Sequence, residues 1–410
     1  MKAVRRYTVL GGAEAEARVA AAVEAIREAA RAALDPRELR ALVLIGGYGR
    51  GEGGVEVREG VERPHNNLDV LAITRRAGRG RTEALRQRLS RAMEGPAEQH
   101  GIGIDVGAVP DWVLQTDVCR VMWYEMRFGH RTLLGDECYV PGLTRFTVER
   151  LHPPDLRDLV VNRGSLLVIN DALADLPALQ EPGRRAFLRH LVKGVIGIGD
   201  GLLWALGAYH WSYQEKRRRI AALPGVPGPL RDLYERAMAY RFRADPALFP
   251  DGDLVEMQQA IREVLATVHC RFESRRLDLP LEDWRDYLSR ALPQEVAPAW
   301  AHPREAARRG LSLARTLRGR GDLRGIPAGL RPGAALQWAL CPPRERLALL
   351  FPGVAWQVRE EPYASQVRQV LDATDGPGMR RAYLRSFGRL ADPNFFLVAR
   401  RLGIPLEEPG

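Results

Sequence analysis

Lysine is almost missing from this 410-residue chain: Lys2, Lys193 and Lys216 stand against 58 arginines. That skew reads as a habit of coding or habitat and points to no function. The net charge is +10, but the charges are spread through a composition that is 27% charged. No solid basic tail is present, which excludes a histone-like or disordered polycation. The balance permits nucleic-acid or nucleotide partners without demonstrating them. Cysteine is scarce as well. Cys119, Cys138, Cys270 and Cys341 are too few and too scattered for a disulfide framework, and no CxxC pair or Cys/His ladder suggests zinc. Cys119 and Cys138 could pair, but buried free thiols in a reducing cytoplasm are the expectation. The eight histidines show neither HExxH nor HxxxH spacing. Long apolar runs are also lacking. The longest, around 194–209, is broken by Gly194, Gly197, Gly199, Asp200 and Gly201, so no membrane span is indicated. The opening MKAVRRYTVLGGAEAEARV has neither an apolar core nor a small-residue cleavage site. A soluble cytoplasmic protein without a membrane partner is expected. At 46% hydrophobic the chain can bury ordinary cores, and its length suits two or three domains.

Residues 12–34 are rich in Ala, Glu and Arg, with Val19, Val23, Ile26 and Ala30 at helical spacing, and Asp35-Pro36 ends that helix. Ala41–Ile45 reads as a short buried strand running into Gly46-Gly47. Leu68–Ile73 is a second strand, 81–94 a helix, and Ile102–Val109 a third strand. This order describes a small α/β domain over 1–150. From about 151 the sequence turns Leu/Ala/Arg-rich with helical periodicity, punctuated by Pro and Gly. A helical domain over 151–278 and a second helical region over 279–410 are expected. The fold class is therefore α+β: an N-terminal α/β domain with a small mixed sheet, followed by largely α-helical C-terminal domains. No repeat period supports a solenoid.

The informative segment is Leu44-Ile-Gly-Gly-Tyr-Gly-Arg-Gly-Glu-Gly-Gly54 followed by Asn66-Asn-Leu-Asp-Val-Leu-Ala-Ile73. Gly49-x-Gly51-x-x-Gly54 formally matches a dinucleotide fingerprint, with Asp69 about 20 residues on. That fingerprint needs a helix directly after the glycines, and VEVREGVERPHNN with Gly60 and Pro64 is a poor helix. A P-loop fails because no Gly-Lys-Ser/Thr follows. The alternative is a metal-dependent nucleotidyl-transfer site. A glycine turn after the first strand lets backbone N–H groups approach phosphates. An acid-x-acid step at the start of the next strand sends two side chains to one face, and an acid on a neighbouring strand completes a cage. The positions here are Asn67-x-Asp69 and Asp105. Mg²⁺ or Mn²⁺ is the cofactor such oxygen ligands suit. Asp105, inside IGIDVGAV, is read as a costly buried carboxylate that needs a partner.

These residues resemble the DNA polymerase β-like nucleotidyltransferase superfamily. Gly46-Gly47-Tyr-Gly-Arg-Gly-Glu52 is most similar to the glycine turn of the uridylyltransferases that modify the nitrogen-regulatory PII protein. Glu125-Met-Arg-Phe-Gly-His-Arg-Thr-Leu-Leu-Gly-Asp136 resembles the helix and turn that follow the third acid in bacterial members. Lys193-x6-Asp200-x8-Tyr209 resembles a face of the helical domain that closes over the nucleotide. The resemblance covers about residues 40–136 and, more faintly, 155–220. It implies an NTP substrate, Asp69 and Asp105 as metal ligands, and Asp105 assisting deprotonation of the acceptor. It also implies that Gly46, Gly47, Arg50 and Lys193 seat the nucleotide. The chain departs from the pattern at Asn67, whose amide oxygen can ligate a metal but brings no charge. The long link to Asn67 holds Glu52, Glu56, Glu59 and Glu62. Glu52 is the best candidate there for a metal or structural role.

Other features have ordinary readings beside functional ones. Arg50 faces a triphosphate or pairs with Glu52. His65 could touch a substrate. Lys216-Arg-Arg-Arg219 and the eight arginines of 301–332, against Glu305 and Asp322, are solvated helix faces or contacts for an anionic acceptor such as RNA. The tryptophans at 204, 211, 284, 300, 338 and 356 are read as core and packing residues. The expected reaction moves a nucleoside monophosphate from an NTP to an acceptor, which could be a small molecule, a protein or RNA, and releases pyrophosphate. The rivals are a degenerate fold that binds nucleotide or RNA without catalysis, favoured by Asn67, and a regulatory protein whose helical C-terminal half binds a partner. The oligomeric state is left open.

Overall fold

A computed structural model describes residues 6–176, 181–249, 254–296, 303–318, 323–392 and 394–406. The architecture is α+β, with one four-stranded mixed sheet, one two-stranded sheet and many helices. The chain forms two compact units. One comprises the chain through Leu156 with Tyr209–Leu223 and Glu235–Pro250; the other comprises Arg157–Ala208, Pro224–Tyr234 and Asp251–Gly410. The expected boundaries at 150 and 278 give way to this division. The first lies six residues further on, the second has no counterpart, and two later segments return to the first unit.

In the first unit, α1 (Ala13–Ala33) buries Ala15, Val19, Ala22, Val23, Ile26 and Ala30, one stripe at helical spacing. After it come β1 (Leu39–Ile45), the short α2 (Gly46–Arg50), a hairpin of β2 (Val55–Arg58) and β3 (Val61–Pro64), and β4 (Leu68–Thr74). Then follow α3 (Arg79–Ala92), α4 (Glu94–His100), β5 (Ile104–Pro110), α5 (Asp111–Thr116), α6 (Val121–Phe128) and β6 (Arg131–Gly135). The sheet order is β5-β4-β1-β6; β1 runs antiparallel to β4 and β6, while β4 and β5 are parallel. Leu42 and Leu44 of β1, and Leu68, Val70 and Ala72 of β4, pack with the α1 stripe and with Leu85 and Leu89 of α3. Ile104, Val106 and Ala108 of β5 face the same layer. Strand alternation therefore sends Asp69 and Asp105 to the opposite face. The hairpin occupies the stretch that reads as a poor helix. Its two-residue turn, Glu59-Gly60, has φ of 52° and 76°, the positive pair that a type I′ turn requires.

The helices α7 (Pro153–Ala174), α8 (Glu181–Ala205), α9 (Tyr213–Ala222), α10 (Gly228–Phe242) and α11 (Leu254–Leu277) come next. After them are α12 (Tyr287–Val296), α13 (Pro303–Leu317), α14 (Pro332–Leu340), α15 (Pro343–Ala355), α16 (Tyr363–Leu371), α17 (Gly376–Leu390) and α18 (Phe395–Arg401). Of these, α9 and the end of α10 belong to the first unit. The glycines that interrupt α8 are packing devices. A β-carbon at Gly194 would lie 2.7 Å from Leu167 and one at Gly201 2.8 Å from Val160, both on α7. No described helix is long and apolar enough to cross a membrane. All four cysteines are free, and Cys138 is exposed where a buried thiol was expected. Trp284, Trp338 and Trp356 are buried, Trp204 and Trp211 half-buried, and Trp300 lies outside the described residues.

Candidate functional site

Three of the expected residues meet at one end of the sheet, on the face opposite the α1 layer. In the β4–β5 register Asp69 stands directly beside Asp105, and Ile45, at the end of β1, stands beside Asp69 on its other side. Asn67 donates its side-chain N–H to Asp105 Oδ2 at 3.1 Å, and the Leu68 amide donates to the Gly103 carbonyl at 2.8 Å. Asp105 and Asn67 are exposed and Asp69 is half-buried, so burial is not what demands a partner for Asp105, contrary to the sequence reading. Asp69 and Asp105 stand side by side in the register, and Asn67 contributes a donor there where a third acid would add charge.

The glycine turn belongs to the same place. Gly46 has φ +66°, and a β-carbon there would lie 2.1 Å from Asp69 Oδ2. Gly103 is tied to the site similarly: a β-carbon would lie 2.4 Å from Asn67 Oδ1. Tyr48, which no sequence pattern singles out, holds the turn to the acid strand. Its buried hydroxyl donates to the Gly54 carbonyl at 2.7 Å and accepts from the Asn66 amide at 3.4 Å. Burial pushes the Tyr48 phenol up to about 12, so it remains a donor. Gly53 gives the Tyr48 ring room, since a β-carbon there would lie 2.1 Å from the ring.

Arg50 and Glu52 leave this group for a buried ionic cluster beneath α9. Arg50 Nη1 donates to Glu125 Oε2 at 2.7 Å, and Arg50 Nε lies 3.7 Å from Glu52. Lys216 Nζ, fully buried, donates to Glu125 Oε1 at 2.9 Å and to the Tyr209 hydroxyl at 3.1 Å. Tyr209 in turn donates to Glu125 Oε1 at 2.8 Å. Burial would raise the Glu125 carboxyl, but the Lys216 ammonium and the Arg50 guanidinium hold it at about 2. Glu52 accepts from the Ser212 hydroxyl and from the backbone amides of Tyr213, at 2.8 Å, and Gln214, at 3.3 Å. It satisfies the first turn of α9, where Ser212 is the N-cap. Arg50 is thus held by Glu125 and Glu52, and Glu52 supports the start of α9.

The remaining expectations are scattered. Glu56 lies 2.9 Å from Arg58 and 3.7 Å from His65, Glu62 accepts from the Gly12 amide at 2.6 Å, and Glu59 is at the exposed hairpin tip. His65 also meets the Tyr240 ring edge-on. Lys193 is exposed on α8, and it and the buried Asp200 belong to the second unit, whereas Tyr209 belongs to the first. The Lys216–Arg219 stretch is not a free basic patch: Lys216 is buried, Arg217 pairs with Glu235, and Arg218 and Arg219 pair with Glu215. In the 301–332 stretch, Arg308 and Arg309 pair with Glu345, while Arg320 and Asp322 lie outside the described residues.

One cation beside the turn escapes the sequence reading. Arg241, near the end of α10, stacks its guanidinium 3.9 Å from the Tyr213 ring centroid, and its Nη2 would lie 3.5 Å from a β-carbon at Gly47. Nothing local marks it out among 58 arginines.

For a divalent cation, the donors on this face are the carboxylates of Asp69 and Asp105 and the amide oxygen of Asn67. All are hard oxygen ligands of the kind Mg²⁺ and Mn²⁺ take, and they lie on neighbouring positions with Asp105 open to solvent. Among the described residues no group of three or more His, Cys, Asp and Glu is placed to hold a metal ion. Compared with protein-family models, curated proteins and solved structures, the chain matches none.

Proposed function

We propose that the first unit is a metal-dependent nucleotidyltransferase that moves a nucleoside monophosphate from an NTP to an acceptor nucleophile. The observation that carries this reading is the side-by-side placement of Asp69 and Asp105, with Asn67 bonded to Asp105 and the Gly46-Gly47 turn closed against Asp69. Asp69, Asp105 and the Asn67 oxygen would hold Mg²⁺ or Mn²⁺, which when bound supplies the positive charge that two carboxylates and a polyphosphate call for. Asp105, exposed at the edge of the group, is open to an acceptor hydroxyl and takes its proton as the acceptor oxygen bonds to the α-phosphorus. The bond from that phosphorus to the bridging oxygen breaks, and pyrophosphate leaves. Gly46 and Gly47 are partly exposed, so their backbone can meet the phosphates. The test is pyrophosphate release and label transfer from each NTP with Mg²⁺ or Mn²⁺, with water and candidate small-molecule, protein and RNA acceptors. Asp69→Asn and Asp105→Asn should each lower the rate by on the order of 100-fold or more. Undiminished transfer in both variants would sink the assignment.

A second reading is favoured by the Asn67–Asp105 hydrogen bond, which relieves the acidic pair without a metal. On it, the unit binds nucleotide or RNA and does not catalyse. Asn67→Asp separates the two. A binding protein short of only this acid gains metal affinity and transfer, whereas an enzyme already complete with an amide ligand changes its rate by less than about tenfold.

A further inference from the structure

Three cations surround the ring of Tyr213: Arg50 at 4.5 Å, Lys216 at 4.9 Å and Arg241 at 3.9 Å from its centroid. Glu125 bonds both Arg50 and Lys216, and Glu52 is taken up by the first turn of α9. Among the described residues no carboxylate pairs with Arg241, and its Nε is shielded from solvent without an acceptor. Of the three, Arg241 is the one for which no carboxylate partner is found among the described residues. That position is built. A β-carbon at Gly54 would lie 2.2 Å from the Arg241 carbonyl oxygen, so glycine there admits the end of α10, and the Ala244 amide donates to the Val55 carbonyl at 2.8 Å. The backbone is pinned to the hairpin, the guanidinium plane is set by the Tyr213 face, and Nη2 is directed at Gly47.

We infer that Arg241 binds the terminal phosphates of the donor, so that the site selects a nucleoside triphosphate over the corresponding monophosphate. This rests on the nucleotidyl-transfer reading only for the identity of the nucleotide. The anion-binding role of Arg241 stands on an oriented guanidinium without a carboxylate partner at the glycine turn. A guanidinium already oriented and without a carboxylate partner gains charge-assisted hydrogen bonds to phosphate at little ordering cost. The acids at positions 69 and 105 would repel the same anion, so Arg241 also fixes which end of the polyphosphate lies away from them.

The experiment is calorimetric titration of the full chain with inorganic tripolyphosphate, and with each NTP and NMP, metal-free and with Mg²⁺. Tripolyphosphate should bind the wild type, and Arg241→Gln should weaken it by about tenfold or more, with a shallower salt dependence. Arg241→Lys, which keeps the charge and loses the planar fork, should fall between them, and it guards against a folding artefact in the glutamine variant. NMP affinity should change little. Equal tripolyphosphate affinity in wild type and Arg241→Gln, or no binding by folded wild type, overturns the inference. Arg241-dependent binding without nucleotidyl transfer to any acceptor would remove the proposed reaction and leave the anion site. Transfer with an unchanged NTP KM in Arg241→Gln would do the reverse.

Discussion

Gly46 adopts φ +66°, and the volume a side chain would need there is filled by the Asp69 carboxylate 2.1 Å away. Gly60, at the hairpin tip, has φ +76°, and a β-carbon there would meet nothing within 4 Å. The two therefore share a backbone penalty of roughly 1 kcal/mol on substitution by alanine but differ in what the new methyl meets. Gly60→Ala should lower Tm slightly and leave metal and nucleotide binding alone. Gly46→Ala should displace Asp69 and weaken Mg²⁺ binding by about tenfold or more while the chain stays folded. Equal behaviour of the two variants in calorimetry would show that the Gly46–Asp69 contact is idle. The contact also explains what is legible at this scale. Asp69 and Asp105 sit at strand positions whose alternation fixes their face, Asn67 immediately precedes β4, and Gly46 directly follows a strand. Arg50 and Glu52 share the glycine segment, and proximity in sequence assigns them to the same site. Their partners, Glu125 and the α9 amides, are some 75 and 160 residues distant, and no local pattern announces them. Arg241 is hidden for the same reason, since its position depends on Gly54 admitting α10.

Among the elements, periodicity and structure agree closely where the period is strong: 12–34 against α1, 41–45 against β1, and 68–73 against β4. The β2–β3 hairpin and β6 leave no such mark. Val55–Arg58 and Val61–Pro64 are four residues each, with charged outer positions and a Glu-Gly turn, too short for alternation to stand out. α9 depends on residues distant in sequence as well as on its own. Its N-terminus is satisfied by Glu52 and Ser212, and its one buried cation, Lys216, is neutralised by Glu125. Glu125 ordinarily titrates near 4.5 and is held at about 2, so its contribution is fully present above the unfolded value and is lost as pH falls through the folded one. The size is about 3 kcal/mol for a side chain this enclosed. Glu125→Gln leaves Lys216 and Arg50 with uncompensated charge and should cost roughly 3–5 kcal/mol at neutral pH. In urea melts the gap between wild type and Glu125→Gln should narrow as pH drops from about 5 to about 2, because the wild type loses the same charge there. A gap that stays constant across that window would show that the carboxylate of Glu125 is not what holds α9.

Across the molecule most described arginines are exposed, but a few are buried and serve as framework. In the second unit Arg157 and Arg276 converge on Glu295 at 2.8 and 2.6 Å, and Arg276 also pairs with Glu273. Arg346 goes further, being buried with only neutral partners. Its Nε donates to the carbonyls of Trp338 and Cys341, Nη1 to that of Leu323, and Nη2 to the Ala339 carbonyl and the hydroxyls of Thr316 and Ser312. Burial draws its pKa down to about 10, so it stays charged at neutral pH and its desolvation must be offset by those bonds. Several of the acceptors are carbonyls at the end of α14, where a cation also meets the negative end of the helix. The guanidinium is thus a staple joining α14, α15, the Leu323 turn and the hydroxyls of α13. An ammonium has three donors at one point and cannot span them. Arg346→Lys should therefore destabilise the second unit by about 2–4 kcal/mol despite conserving charge. Differential scanning calorimetry should show the loss in the transition of that unit, with NTP binding by the first unit unchanged at temperatures where both are folded. An unaltered melt would mean that the charge alone matters at position 346, and the +10 excess would then be as interchangeable between lysine and arginine as it looks in the composition.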